Sequence, residues 1–286
     1  MILTRFVAPD GAVRCGRDRG DGTAELFADG PWPRPDTAAG RVVQIGRRLA
    51  PVMPPNVFCI GLNYREHAEE TSATIPERPV VFMKPTTTVS DPGGRIVLPA
   101  AKLPNHPGPE VDSEAELAVV IGPHRDGRPT RDVRERDALD HVLGYTCAND
   151  VSARRWQKHG GGGQWVRGKG FDTFCPLGPV LVTPGNAAGS SDEGRIITDP
   201  QALAITGTLN GEVMQSSSTS DMIFSVAELI AFLSRDTTLL PGTVILTGTP
   251  PGVGFVRTPP VFLKERDEVA VQIAGIGVLR NPVVRG

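Results

Sequence analysis

Glycine and proline supply about a fifth of this 286-residue chain, 33 and 27 residues, against a usual share of roughly 12%. Glycine costs backbone entropy in regular elements, and proline removes a backbone donor. A coiled coil or a bundle of long helices is therefore excluded. No Gly-X-Y period runs through the sequence, so collagen is excluded as well. Apolar residues (39%) are numerous enough to build a core, which rules out a disordered chain. What remains is a globular protein of short strands, many turns and long ordered loops.

The formal net charge is −2, so there is no basic field for nucleic acid or an acidic membrane. No apolar run approaches the ~20 residues of a spanning helix. The start, Met1-Ile2-Leu3-Thr4-Arg5, does not read as a signal peptide. Cys15, Cys59, Cys147 and Cys175 are too far apart for a CxxC metal pair. Cys59 and Cys147 lie in apolar surroundings and are expected to be buried thiols, and a reducing cytosol is the expected compartment.

Residues 1–53 read as a small strand-and-turn cap, and 54–286 as the main domain. Strands are expected at 57–61, 79–85, 116–122, 141–147, 243–246 and 268–273. Short helices are expected at 64–70 and 132–139, and an amphipathic helix at 225–234. Asn210-Gly211 between two apolar pieces predicts a hairpin. The Gly/Ser/Asp-rich stretch 184–200 reads as a surface loop. Strands dominate, so an α+β fold of curved, mostly β sheets is predicted.

The chemistry concentrates in Glu114-Ala115-Glu116. Residues two apart on a strand share a face, so Glu114 and Glu116 project together beside an apolar run. Like charges beside a core repel, and burial raises the cost. A hard divalent cation removes the conflict, and carboxylate oxygens suit Mg²⁺ or Mn²⁺, with Ca²⁺ able to take the same ligands. Two solvated carboxylates at a strand end would need no metal. Asp150 is the candidate third ligand, although it could equally cap the segment that follows. Arg154 and Gln157, three apart, would share a helix face.

Five segments stand out in order: Asn63 to Glu70 (NYREHAEE), Glu114 to Leu117 (EAEL), Asn149 to Arg154 (NDVSAR), Gly168 to Phe174 (GKGFDTF) and Thr247 to Gly254 (TGTPPGVG). In this order they resemble the fumarylacetoacetate hydrolase family. The resemblance covers about residues 56–284 and implies a β-rich, mixed β-sandwich roll with few short helices, joined to the small N-terminal β cap. It implies Mg²⁺ or Mn²⁺ held by Glu114, Glu116 and Asp150, and a 2-oxo or β-diketo acid as substrate. His67, Glu70 and Lys169 would be catalytic, with His67 and Glu70 on a lid. Arg154, Gln157, Thr249, Gly248 and Tyr64 would contact the substrate. Departures from the family pattern fall at Ser113, Arg155 and Gly170, where an aromatic residue, Asp and Ser are usual.

The resemblance puts hydrolysis of a C–C bond in an acylpyruvate or fumarylpyruvate first. Oxaloacetate decarboxylation or keto–enol tautomerisation, and hydroxydienedioate isomerisation, are its alternatives on the same site. A non-catalytic ligand-binding role is the alternative of another class, and a homodimer is implied by resemblance only. Gly163 to Lys169 imitates a phosphate loop, but Gly170 lacks the hydroxyl that such a loop places on Mg²⁺. His106, His124, His141 and His159 have no metal-like spacing, and Trp156 and Trp165 read as packing anchors near the site.

Overall fold

In the computed structural model, the described residues are 1–286 apart from 28–37, 102, 104–107, 124–127, 161–162 and 186–196. His106, His124 and most of the expected 184–200 loop lie outside them.

The strand Ala115–Ile121 shows why the chain folds in layers. All seven of its residues are buried, so both faces must be covered. Leu117, Val119 and Ile121 enter one apolar cluster, and Ala118 and Val120 enter another on the opposite face. This strand is central to a twelve-stranded sheet. On one side Val142–Asn149 pairs with it, then Cys175–Val182, Ile2–Val7, Val13–Asp18, Thr23–Phe27 and Ala38–Gln44. On the other side lie Val244–Leu246, Val57–Gly61 and, at the edge, Val80–Lys84. The sheet is mixed: Val244–Leu246 runs parallel to Val57–Gly61 and antiparallel to Ala115–Ile121.

A five-stranded sheet packs over the first. Its order is Glu212–Ser218, Ala204–Leu209, Glu268–Ile273, Gly277–Arg285 and Ile96–Leu98. Ile205, Val271, Ile273 and Leu279 from this sheet share one core with Leu117, Val119 and Tyr145 from the larger one. The helix Val226–Leu233 adds Leu229 and Ile230 to the same core. The chain is thus an α+β, strand-rich protein with few short helices, as expected.

Local chemistry explains the elements that were foreseen. Asn210 and Gly211 both take positive φ (52° and 84°), as a tight primed turn requires. Ser225 accepts from the Glu228 amide while the Glu228 carboxylate accepts from the Ser225 amide, a complete capping box. The helix expected at 132–139 is displaced: a 3₁₀ helix runs over Glu135–His141 instead. Asp132 is left-handed (φ 51°) and Arg134 is extended (ψ 145°), so no helix can start before Glu135. The strand Ile2–Val7 pairs with Cys175–Val182, at Ile2↔Val182 and Leu3↔Leu181, and ties the proposed unit 1–53 to the proposed unit 54–286.

Candidate active site

Strand register assembles the acids. Ala115 pairs with Asn149 and Glu116 with Ala148, so the preceding Glu114 meets the following Asp150. The Asp150 amide donates to the Glu114 carbonyl at 2.9 Å and fixes this junction. Glu114, Glu116 and Asp150 are all buried, and one oxygen of each lies within 4.8 Å of the others. The structure thus brings the three acids singled out in the sequence to one spot. Such a cluster of hard oxygen donors could hold a divalent cation.

Three buried cations answer the acids. Lys169 Nζ donates to Glu114 Oε2 at 2.8 Å and to Asp150 Oδ2 at 2.6 Å. Arg154 donates to Glu114 Oε1 at 2.5 Å, to Asp112 Oδ1 at 2.6 Å and to Gln157 Oε1 at 3.0 Å. Lys84 Nζ forms a very short contact with Asp150 Oδ1 and donates to the Val151 carbonyl at 3.2 Å. Lys84 and Asp112 belong to this cluster but were not drawn from the sequence. Their signals were a lone cation ending an apolar strand, and a third acid two residues before Glu114.

The buried cluster holds four carboxylates (Asp112, Glu114, Glu116, Asp150) against three cations (Lys84, Arg154, Lys169). Burial works against ionised Glu114, but Lys169 and Arg154 outweigh it and hold its carboxyl below the usual range. Glu116 goes the other way: burial, then the charges of Asp150 and Glu114, push its carboxyl well up. Among the described residues, the Gly248 amide is the hydrogen-bond donor that meets it, at 2.6 Å. The surplus acid is thus Glu116, and a divalent cation fits where like charges otherwise oppose ionisation.

A cavity of about 150 Å³ opens beside the cluster. Glu114, Glu116, Lys169, Arg154, Gln157 and His67 contribute to its wall, and Phe82, Trp165 and Phe255 supply apolar surface. His67 stands on the helix Arg65–Glu70, with its Nδ1 3.2 Å from Glu70 Oε2. Glu70 is itself fixed by the Gly252 amide, at 2.9 and 3.1 Å to its two oxygens. Gly252 has φ +100°, and a Cβ there would lie 2.1 Å from the Met214 carbonyl oxygen. Only glycine allows this loop to come so close.

The loop Thr247-Gly248-Thr249 is differently employed than expected. Thr249 lines the cavity, but its hydroxyl donates to the Ala115 carbonyl at 3.0 Å. The Gly248 amide serves Glu116 and does not line the cavity. Tyr64 is fully buried, and among the described residues its hydroxyl has no hydrogen-bond partner. Burial, then the nearby Glu116 charge, push this phenol above its ordinary range. Gly168 and Lys169 end a short helix, Trp165–Lys169, so the imitation phosphate loop is no loop. Trp165 packs edge-on against Phe82 (5.3 Å between centroids) and Trp156 against Phe171 (6.1 Å). Cys59 and Cys147 are fully buried, as expected, and so is Cys175. Burial pushes the Cys147 and Cys175 thiols up to about 12, which leaves them inert.

With fold and site in place, comparison with known proteins gives the class. The family profile described as fumarylacetoacetate (FAA) hydrolase C-terminal matches residues 56–284. This chain belongs to the fumarylacetoacetate hydrolase family. It is 47% identical over 237 residues to a Bos taurus protein named oxaloacetate tautomerase FAHD2A, mitochondrial, covering 82% of this chain and 69% of the relative. The Homo sapiens protein of the same name is 46% identical over the same shares. Among solved structures, 5-carboxymethyl-2-hydroxymuconate delta-isomerase from Mycobacterium smegmatis is similar with a TM-score of 0.80 and 40% identity, covering the whole of both chains. The relatives correct one expectation. A cytosolic compartment, inferred from unpaired cysteines, does not stand, because both mammalian proteins are mitochondrial. Thiols stay reduced in more than one compartment, so their spacing could not separate the two. No helix among the described residues is long and apolar enough to cross a membrane.

Proposed function

We propose that this chain is a tautomerase that interconverts the enol and keto forms of a small 2-oxo acid, with oxaloacetate as the substrate. C–C hydrolysis, the first expectation from the sequence, is less well supported than this alternative. The observation that carries the reading is the cavity itself, which brings a buried acid cluster, Lys169 and the ring of His67 to one space of about 150 Å³. That is small beside typical ligand pockets of about 300–1,000 Å³, and it suits a short oxo acid. The activity named for the bovine and human relatives points the same way.

Glu114, Glu116 and Asp150 would hold Mg²⁺ or Mn²⁺, which supplies Lewis-acid polarisation of substrate oxygens when bound. The chain's own residues do the rest. Glu70 orients His67 through Nδ1, leaving Nε2 to exchange a proton with the substrate's C3. As the C3 proton leaves, negative charge passes to the carbonyl oxygen, and Lys169 stabilises it. Return of a proton to that oxygen completes the enol, and the reverse steps give the keto acid. Arg154 and Gln157 position substrate oxygens from the wall, while Thr249 holds the start of the Glu116 strand through the Ala115 carbonyl. The Gly248 amide holds Glu116 by a hydrogen bond, away from the cavity. Decay of the enol absorbance of oxaloacetate, with Mg²⁺ and then with EDTA, tests the reading. Faster decay that needs both the metal and His67 is expected. Cleavage of acetylpyruvate with no effect on oxaloacetate would overturn it.

A second reading, isomerisation of a hydroxymuconate-type dienoate, is supported by the full-length likeness to the Mycobacterium smegmatis isomerase. It uses the same proton transfer on a longer carbon chain.

A further inference from the structure

We infer that Lys158 makes this cavity selective for dicarboxylic over monocarboxylic 2-oxo acids by binding the carboxylate farthest from the acid cluster. The inference rests on the tautomerase reading for the oxo-acid class.

Lys158 lies on the helix Arg154–His159, one turn beyond Arg154 and so about 6 Å further along the axis. Both side chains meet the Phe255 ring: Arg154 Cζ is 4.3 Å from its centroid and Lys158 Nζ 3.5 Å. The ring holds the lysine against the cavity, which both residues line. Arg154 faces inward and is buried, whereas Lys158 is exposed at the mouth.

Charge accounting singles out Lys158. Lys169 is committed to Glu114 and Asp150, Arg154 to Asp112 and Glu114, and Lys84 to Asp150. His67 is paired with Glu70. Among the described residues, Lys158 is the cation on the cavity wall that no protein carboxylate meets. Partial burial, then the like charge of Arg154, lower its pKa, as befits an ammonium lacking a counter-ion. A monocarboxylic oxo acid brings one carboxylate, beside its oxo group, toward the acid cluster. A dicarboxylic one brings a second anion, and Lys158 can answer it through a charge-assisted hydrogen bond.

Trp165 lines the cavity, so quenching of tryptophan fluorescence reads ligand binding without turnover. Oxaloacetate and 2-oxobutanoate would be titrated, with Mg²⁺ present, into wild type, Lys158→Met and Lys158→Arg. The inference expects oxaloacetate to bind more tightly, a ratio that falls roughly tenfold in Lys158→Met and is kept by Lys158→Arg. An unchanged ratio in Lys158→Met, or no binding of either acid to wild type, would overturn it. Exchange of C3 hydrogens with deuterated water, followed by NMR on the same samples, separates the two claims. Selective binding without exchange would overturn the tautomerase reading and leave the role of Lys158 standing.

Discussion

Burying an ammonium costs several kcal/mol unless a carboxylate meets it, and Asp150 meets two, those of Lys84 and Lys169. Asp150 is therefore held in place before any ligand arrives. Replacing Lys84 by Met should cost about 3 kcal/mol, because buried Asp150 would lose one of its two cations and the cluster's excess of carboxylates would grow. Thermal unfolding of the metal-free protein measures this, and a loss under about 0.5 kcal/mol would contradict the pairing. The acids were legible from the sequence because strand alternation fixes which residues share a face, as with Glu114 and Glu116. Their counter-ions were less so. Lys84 is 66 residues away from Asp150, and only the sheet brings them together. The committed roles of the Gly248 amide and the Thr249 hydroxyl depend on partners 132 and 134 residues distant, and no local pattern encodes that.

Among elements, the loop Thr247 to Gly254 and the helix Arg65–Glu70 act as one unit, joined where the Gly252 amide meets Glu70. Gly252→Ala would place a Cβ on the Met214 carbonyl in a left-handed backbone. A loss of more than about 1 kcal/mol is expected. Because Glu70 would lose its anchor, turnover should fall while Mn²⁺ binding persists. Loss of both together would show that the loop supports the acids as well. Elements with uninterrupted apolar periodicity were readable, Val226–Leu233 and Val57–Gly61 among them. The strand Cys175–Val182 was not, because Pro176, Gly178 and Pro179 argue against a strand. It forms all the same, pairing with Val142–Asn149 through an irregular register between Tyr145 and Cys147. Tertiary burial there overrides local preference.

At the scale of the molecule, the large sheet ends at the strand Val80–Lys84, whose Val80, Val81 and Met83 are exposed. Exposed Ile75 and Val166 add to the apolar surface the chain carries nearby in sequence or on the adjoining helix. Uncovered edge strands of this kind invite pairing. We propose that a second copy covers it, giving the homodimer suggested by resemblance. Light scattering should give twice the chain mass for wild type and one chain mass for Met83→Lys; a wild-type monomer would contradict the proposal. The overall architecture was legible because glycine and proline exclude long helices and the five motifs fall in family order. The compartment was not, since nothing in the spacing of four thiols encodes it. The proposed tautomerase chemistry requires the acid cluster to be a metal centre. Titration of Mn²⁺ followed by electron paramagnetic resonance tests this most directly. One tightly bound ion per chain is predicted, lost in Glu116→Gln while the fold is retained by circular dichroism. Undiminished Mn²⁺ binding after Glu114, Glu116 and Asp150 are all changed to their amides would contradict it.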